Sequence, residues 1–333
     1  MRQGFAFEPR PRLFVAGRRG TRTDMQSQGR GSADESRQLI SIAGRAMTAE
    51  ILPLSQAITA LVHDGDTVAL EGFTHLIPFA AGHEIIRQGR RDLTLVRLTP
   101  DLVYDQMIGA GTAASLIFSW AGNPGVGSLH RFRDAVENQW PRPLDIQEHS
   151  HAGMATRLSA AASGLPFGVL RGYAGTDLPF NTTGIAPISC PFTGETLTAV
   201  SALHPDLAII HAQRADRRGN VQLWGISGLQ KEAVLAAKQS LVTVEEVVDE
   251  LEQVPGQVIL PNWVVTAISP VRDGAHPSYA SGYSTRDNGF YKAWDSVSRN
   301  RETFLAWLDR YVLGTTDWQE YRTLLRADGL VRN

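Results

Sequence analysis

The sequence predicts an α/β fold built on an open, doubly wound, mainly parallel sheet. Three observations carry that reading. Between Thr67 and Leu170, short apolar segments of strand character alternate with longer segments of helical period. One of these strands, residues 115–120, is nearly continuously apolar, as burial on both faces of a parallel sheet requires. A chain of 333 residues with 43% hydrophobic and 20% charged content is also ample for a large core.

In chain order, residues 55–63 read as a helix with Ser55 as N-cap and Asp64-Gly65 as its stop. Residues 67–70 are the first strand, 78–88 a helix ended by Gly89, 93–98 a strand and 102–108 a helix. After the 115–120 strand come a helix at 129–138, a strand at 144–147, a helix at 152–162 and a strand at 167–170. Successive right-handed βα units of this kind wind into one sheet. The second half is more mixed. Strands are expected at 207–212 and 221–223 around the Asp216–Asn220 turn, a helix at 229–238, and strands at 241–244 and 257–260. The expectation is one domain with an elaborated far edge. Its C-terminal segment carries Trp294, Phe304, Trp307, Tyr311, Trp318 and Tyr321 at helical spacing. In a chain of net negative charge, such a stripe reads as helix packing or a subunit contact rather than a base-stacking surface.

The net charge of −2 argues against a nucleic-acid partner, and the composition is not that of a membrane chain. The one cysteine, Cys190, precludes an intrachain disulfide and a cysteine-based zinc site and fits the cytoplasm. It lies between Ser189 and Pro191 with no acid or histidine beside it in sequence, so it reads as a packing residue rather than a nucleophile. Residues 1–46 stand apart: nine arginines face four acids and no apolar period is sustained. This segment is expected to be a disordered basic extension, read as a transit-type segment or as a misassigned start ahead of Met47. Residues 47–333 are then the folded domain.

From Asp64 to Pro78 the chain gives a turn, an apolar strand, and then Gly72 and Phe73 directly after the strand. At a strand end in an open parallel sheet, a residue without Cβ lets main-chain N–H groups approach a ligand. A simple strand-to-helix turn accounts for the same residues. The stretch resembles the signature of the alpha-type chains of family I CoA-transferases: a strand opened by Asp-Gly, closed by Gly-Gly-Phe, and followed by a proline-started helix. Glu71 stands where that family usually has its first glycine, and the loop before Pro78 is slightly shorter. The resemblance extends over most of the chain after residue 50. It includes Ser119 to Asn123, Glu148 to Phe167, Ala215 to Val221 and Val242 to Asp249, while Gly274-Ala275-His276-Pro277-Ser278 is typical of the glutaconate CoA-transferase branch. The stretches 72–78, 101–106 and 122–130 narrow it to alpha-type chains that serve 3-oxoadipate.

The resemblance implies the NagB/RpiA-like version of the predicted fold and a two-subunit, cytoplasmic enzyme. It would move coenzyme A from succinyl-CoA to 3-oxoadipate in aromatic-compound degradation. In this family the acyl-CoA is attacked by a glutamate in a Ser-Glu-Asn-Gly motif of the B subunit, giving ping-pong kinetics. No such tetrapeptide occurs here. No catalytic residue is therefore expected in this chain, the B subunit is its expected partner, and the coenzyme A thioester is a substrate with no bound cofactor. The implied substrate-binding residues close successive strands: Gly72, Phe73 and Thr74, then Thr99, then Gly122 and Asn123, then Ser150 and His151. Asn123 can donate and accept at once, and Thr74 and Ser150 can bind a carboxylate. Turn or capping roles are the alternatives for each, with N-capping equally favoured for Ser150. Glu71 reads as a pairing or structural acid, and His75 and His83 as surface or helix-face residues. His149 and His151 lack a third ligand of suitable spacing, so no metal is expected. The loops 122–127 and 172–175 lack the Lys-Ser/Thr of a phosphate loop. Three other readings stay open: another acid acceptor such as glutaconate, hydrolysis of a carbon ring in a CoA thioester, and a non-catalytic acyl-CoA-binding subunit.

Overall fold

The computed structural model describes residues 49–124 and 127–330. The expected extension over residues 1–46 lies outside them. The first half runs β1 (Glu50–Ile51), α1 (Leu54–Leu61), β2 (Thr67–Glu71), α2 (Phe79–Arg87), β3 (Leu93–Val96), α3 (Leu102–Gly109), β4 (Ala113–Phe118), α4 (His130–Asn138), β5 (Asp145–Glu148) and α5 (His151–Ala162). An excursion follows through β6 (Phe167–Leu170), α6 (Leu178–Asn181), β7 (Ile185–Ser189) and β8 (Thr196–Ser201). The chain returns through β9 (Leu207–Asp216), β10 (Val221–Leu223), α7 (Gln230–Ala236), β11 (Gln239–Val248), β12 (Val258–Leu260) and β13 (Ala267–Pro270). It finishes in α8 (Asn288–Arg299), α9 (Arg301–Trp307), a π-helical turn at Leu308–Leu313 and α10 (Trp318–Ala327).

The main sheet has the order β1-β13-β11-β9-β2-β3-β4-β5, every neighbouring pair parallel. β10 pairs antiparallel with the end of β9 and with β12. Side chains alternate across a pleated strand, so each strand feeds both faces. Val68 and Leu70 of β2 join the core beneath α1 to α4 and the C-terminal helices, while Ala69 joins the core against α5 and α7. Helices on both faces of a parallel sheet make the fold doubly wound, as expected.

Several local readings are corrected. α1 begins at Leu54 with Pro53 at the N-cap position, because proline's fixed φ suits a helix start; Ser55 lies inside it. β6 does not extend the main sheet. It pairs with β8, and β8 with β7, in a separate antiparallel sheet. The second half is no far-edge elaboration either, since β9, β11 and β13 are three of the eight strands in this order, with β9 against β2 at its centre. One edge strand, β5, is largely exposed, in keeping with its sequence Asp-Ile-Gln-Glu.

The C-terminal aromatic stripe packs within the chain. Trp294, Phe304, Trp307, Tyr311, Trp318 and Tyr321 are all buried, with Trp294 and Trp307 ring centroids 4.8 Å apart at 80°. A polar link ties this layer to α3 and α4: Trp294 Nε1 donates to Asp105 Oδ2 at 2.9 Å, while Asp105 Oδ1 accepts from the backbone N–H groups of Arg131 and Phe132.

Candidate active site

The order in which strands join the sheet reverses at β2. After β2 the sheet grows through β3 to β5; from β9 it grows the other way, to β11 and β13. Such a switch point leaves a crevice at the carboxyl ends of its two strands, the usual ligand site of open α/β sheets. The segment that emerges there from β2 is the loop 72–78.

This loop is tightly closed. Thr74 and Leu76 adopt left-handed φ values of 56° and 54°, and Phe73 N donates to His75 O at 3.2 Å. A Cβ on Gly72 would sit 2.6 Å from Leu76 O and 2.9 Å from Ile77 Cα, so the glycine is demanded by the chain's own backbone. Surrounding elements grip the loop from several sides. Arg97 Nη2 donates to Gly72 O at 2.8 Å, Ser278 Oγ to Thr74 O at 2.8 Å, and Leu76 N to Tyr279 O at 2.9 Å. His75 is fully buried rather than on the surface. Its Nε2 accepts from Ser281 N at 2.8 Å, which places the proton on Nδ1, 3.1 Å from Ile226 O. Burial pushes its pKa down, consistent with a neutral ring.

Beneath the loop lies a buried charge cluster. Arg97 Nη1 pairs with Asp101 at 2.9 Å, both side chains almost wholly enclosed. Glu71, 1% exposed, accepts from Leu98 N at 3.0 Å through Oε1, and its Oε2 has no partner. Burial pushes its pKa up to about 7, against the pull of Arg97. Because the folded chain holds this proton more tightly than the unfolded chain, the group's effect on stability is unfavourable once pH rises from about 4.5 through 7. Glu71→Gln, which mimics the protonated form, is therefore expected to melt like wild type near pH 5 and higher than wild type at pH 8. The gain is on the order of 2–3 kcal/mol. Thermal melts of both proteins at the two pH values check this.

The other expected residues follow along the strand ends. Thr99 is half-buried, and Gly122 N donates to Pro100 O at 3.1 Å. Asn123 is 2% exposed; its Nδ2 donates to Tyr291 O at 2.8 Å, and Oδ1 is left without a partner. Ser150 is the N-cap of α5, its Oγ accepting from Gly153 N at 3.0 Å, so the capping role is real. His151 is exposed, with Nδ1 3.1 Å from Ser119 Oγ. His149 instead is buried between Tyr173 OH and Arg157 Nη1, the latter 2.7 Å away, and burial followed by Arg157 lowers its pKa to about 4. The two histidines therefore face different surroundings. His83 lies in the core against Trp318 and Tyr321, its Nε2 2.9 Å from Gln106 Oε1, and burial lowers its pKa to about 3.

Sequence reading missed the groups that hold this edge together. His211, at the centre of β9, binds Thr243 Oγ1 at 2.8 Å and Glu245 Oε1 at 2.9 Å, and Glu245 Oε2 accepts from Asp273 N at 2.8 Å. That dyad anchors the turn carrying Gly274 to Ser278 against the loop 72–78. A signal existed: His211 and Arg97 interrupt otherwise apolar strands, and a buried polar side chain needs partners.

Residues 52–270 match the family described as Coenzyme A transferase, and the chain belongs to that family. Over 281 residues, 84% of this chain and 99% of the relative, it is 62% identical to the A subunit of the 3-oxoadipate CoA-transferase of Pseudomonas knackmussii. It is 34% identical over 303 residues to the A subunit of the glutaconate CoA-transferase of Acidaminococcus fermentans, covering 85% of this chain and 93% of that one. The crystal structure of glutaconate coenzyme A-transferase from that organism superposes with a TM-score of 0.78 at 33% identity, covering 85% of this chain and 94% of that chain. A third relative, a cholesterol ring-cleaving hydrolase IpdA subunit of Mycobacterium tuberculosis, is 30% identical over 278 residues, 78% of this chain and 92% of that protein. Among the described residues no helix is long and apolar enough to cross a membrane.

Proposed function

We propose that this chain is the A component of a two-subunit cytoplasmic enzyme that moves coenzyme A from succinyl-CoA to 3-oxoadipate. The observation that carries the reading is the 62% identity spanning 99% of the corresponding component of a 3-oxoadipate CoA-transferase. In this reading the succinyl thioester carbonyl is attacked by a glutamate of the B subunit, which expels the CoA thiolate and forms a mixed anhydride. The thiolate then attacks the glutamyl carbonyl, releasing succinate and leaving a glutamyl-CoA thioester. The acid acceptor reverses both steps, which gives ping-pong kinetics.

The chain's contribution is the wall that binds and orients the acyl group. Gly72, Phe73, Thr74, Thr99, Gly122, Asn123, Ser150 and His151 form that wall at the ends of β2 to β5. Geometry divides their roles. The fixed backbone of the loop 72–76 shapes the crevice, Asn123 offers its unfilled Oδ1 and its second Nδ2 hydrogen, and Ser150 acts through the helix it caps. A preorganised wall of this kind costs no rearrangement when the reaction occurs.

The test is acceptor preference. With the B subunit bound and succinyl-CoA as donor, kcat/KM for 3-oxoadipate is expected to exceed that for glutaconate by about 10-fold or more, on the order of 1–3 kcal/mol of discrimination. The reverse order would move the enzyme to the glutaconate branch. Opening of a carbon ring in a CoA thioester, with the thioester left intact and no transfer to either acid, would favour the hydrolase reading.

A further inference from the structure

The wall residues proposed above follow β2, β3, β4 and β5, and so stand on one side of the switch point. A crevice between two strand ends has a second side, and here that side belongs to β9. The segment 224–229 comes from there: it connects β10, which pairs with β9, to α7. Its composition gives it little to hold it in place. It carries Gly225 and Gly228, residues 225–227 are exposed, and the one large apolar side chain among these, Ile226, is 49% exposed.

The segment is nevertheless fitted closely to the loop 72–78. A Cβ on Gly225, whose φ is 99°, would stand 2.9 Å from His75 Cε1, and one on Gly228 would stand 2.8 Å from Phe73 Cβ. Both ends are fastened by glutamines. Gln213 accepts from Trp224 N at 3.1 Å and donates to Trp224 O at 2.9 Å, while Gln230 Oε1 accepts from Gly228 N at 2.6 Å. The exposed middle is fastened by His75, whose Nδ1 lies 3.1 Å from Ile226 O. The other ring nitrogen, Nε2, accepts from Ser281 N at 2.8 Å, and the ring packs against Tyr279 with centroids 4.6 Å apart.

One fully buried imidazole thus joins the loop 72–78 to two segments remote in sequence, using its acceptor on one and its donor on the other. The segment it pins buries little of its own, so the bond to Ile226 O adds little to the core; what it fixes is the shape of an exposed backbone beside Phe73. We infer that residues 225–228 form the second wall of the acyl crevice, on the β9 side, and that His75 is the positioning residue that sets this wall against the loop 72–78. The inference rests on the transferase reading above.

Hydrogen exchange and steady-state kinetics on the assembled two-subunit complex test it. His75→Phe keeps a ring and loses both bonds, whereas His75→Gln can accept from Ser281 N through Oε1 and donate to Ile226 O through Nε2. In His75→Phe the amides of 224–229 are expected to exchange about 10-fold faster. Its kcat is expected to fall about 10- to 100-fold, with KM for acyl-CoA held and the preference for 3-oxoadipate over glutaconate narrowed. His75→Gln is expected to recover most of the rate and the preference. If His75→Phe fails to fold, Gly225→Ala, at an exposed position, pushes the segment off the ring and is expected to give the same losses. Unchanged kcat and acid preference in the folded variants overturn the inference, as does a loss of rate that follows the melting temperature and that glutamine does not repair. If exchange at 224–229 rises in His75→Phe but the wild-type complex transfers to no acid, the positioning role stands and the proposed transfer reaction falls.

Discussion

The chain alone, incubated with succinyl-CoA and 3-oxoadipate, is expected to give no transfer above background, and addition of the B subunit to raise the rate on the order of 10⁴-fold or more. A nucleophilic carboxylate has to reach a thioester carbonyl, and the three acids of β2 and β11 nearest the loop 72–78 are committed elsewhere. Glu71 is sealed beneath the loop 72–78 and bonded to Leu98 N. Glu245 is held by His211 and by Asp273 N. Glu246 takes the Tyr283 hydroxyl and pairs with Arg214 at 2.7 Å. Steady-state assays of the separate subunits and of their mixture decide the matter. Appreciable turnover by this chain alone would refute the division of labour, and Glu71 would then be the first residue to substitute.

Gly72→Ala is the second change expected to act strongly. The added methyl would meet Leu76 O at 2.6 Å and Ile77 Cα at 2.9 Å, and backbone atoms have no rotamer by which to escape. The loop must open. Its bonds to Arg97, Ser278 and Tyr279 are then strained together. Turnover of the assembled enzyme is expected to fall on the order of 100-fold, with a drop in melting temperature of several degrees, since the change is comparable to overpacking worth ~1–3 kcal/mol. Gly172→Ala, outside the proposed wall, is the control: there the methyl meets only the Leu170 side chain, at 3.0 Å, which is able to give way. Loss of rate in Gly72→Ala without loss of melting temperature would mean instead that the methyl meets the ligand rather than Leu76.

Much of the sheet's first half was legible because its signals are local. The hydrophobic alternation and the Gly and Pro punctuation marked β2 to β5 and α2 to α5 within a few residues. What remained hidden depends on partners distant in sequence. β1 is two residues long and exists only through its pairing with β13; β7 and β8 are partly exposed and derive their order from pairing with each other. Likewise, the row of strand-end residues followed from topology, whereas the grip on the loop 72–78 did not. Ser278 and Thr74 are 204 positions apart, and Asn123 and Tyr291 are 168. His75 and His83 read as surface or helix-face residues; His83 does lie on α2, but nothing nearby in sequence announces the backbone carbonyl, amide and glutamine that satisfy the two rings in the interior.

The central place of β9 bears on how the protein is made. As the chain leaves the ribosome, β2 acquires β3 as a neighbour after a few dozen residues, but its other side stays unpaired until residues 207–210 emerge. Throughout that interval the nascent chain presents a bare, apolar strand edge, the kind of surface that chaperones cover and that unfinished chains use to aggregate. The α8 to α10 layer that seals Asp105 and Asn123 arrives later still. The loop 72–78 is synthesised well before residues 278–281, whose bonds fix it, so its final shape waits on a segment some two hundred positions further on.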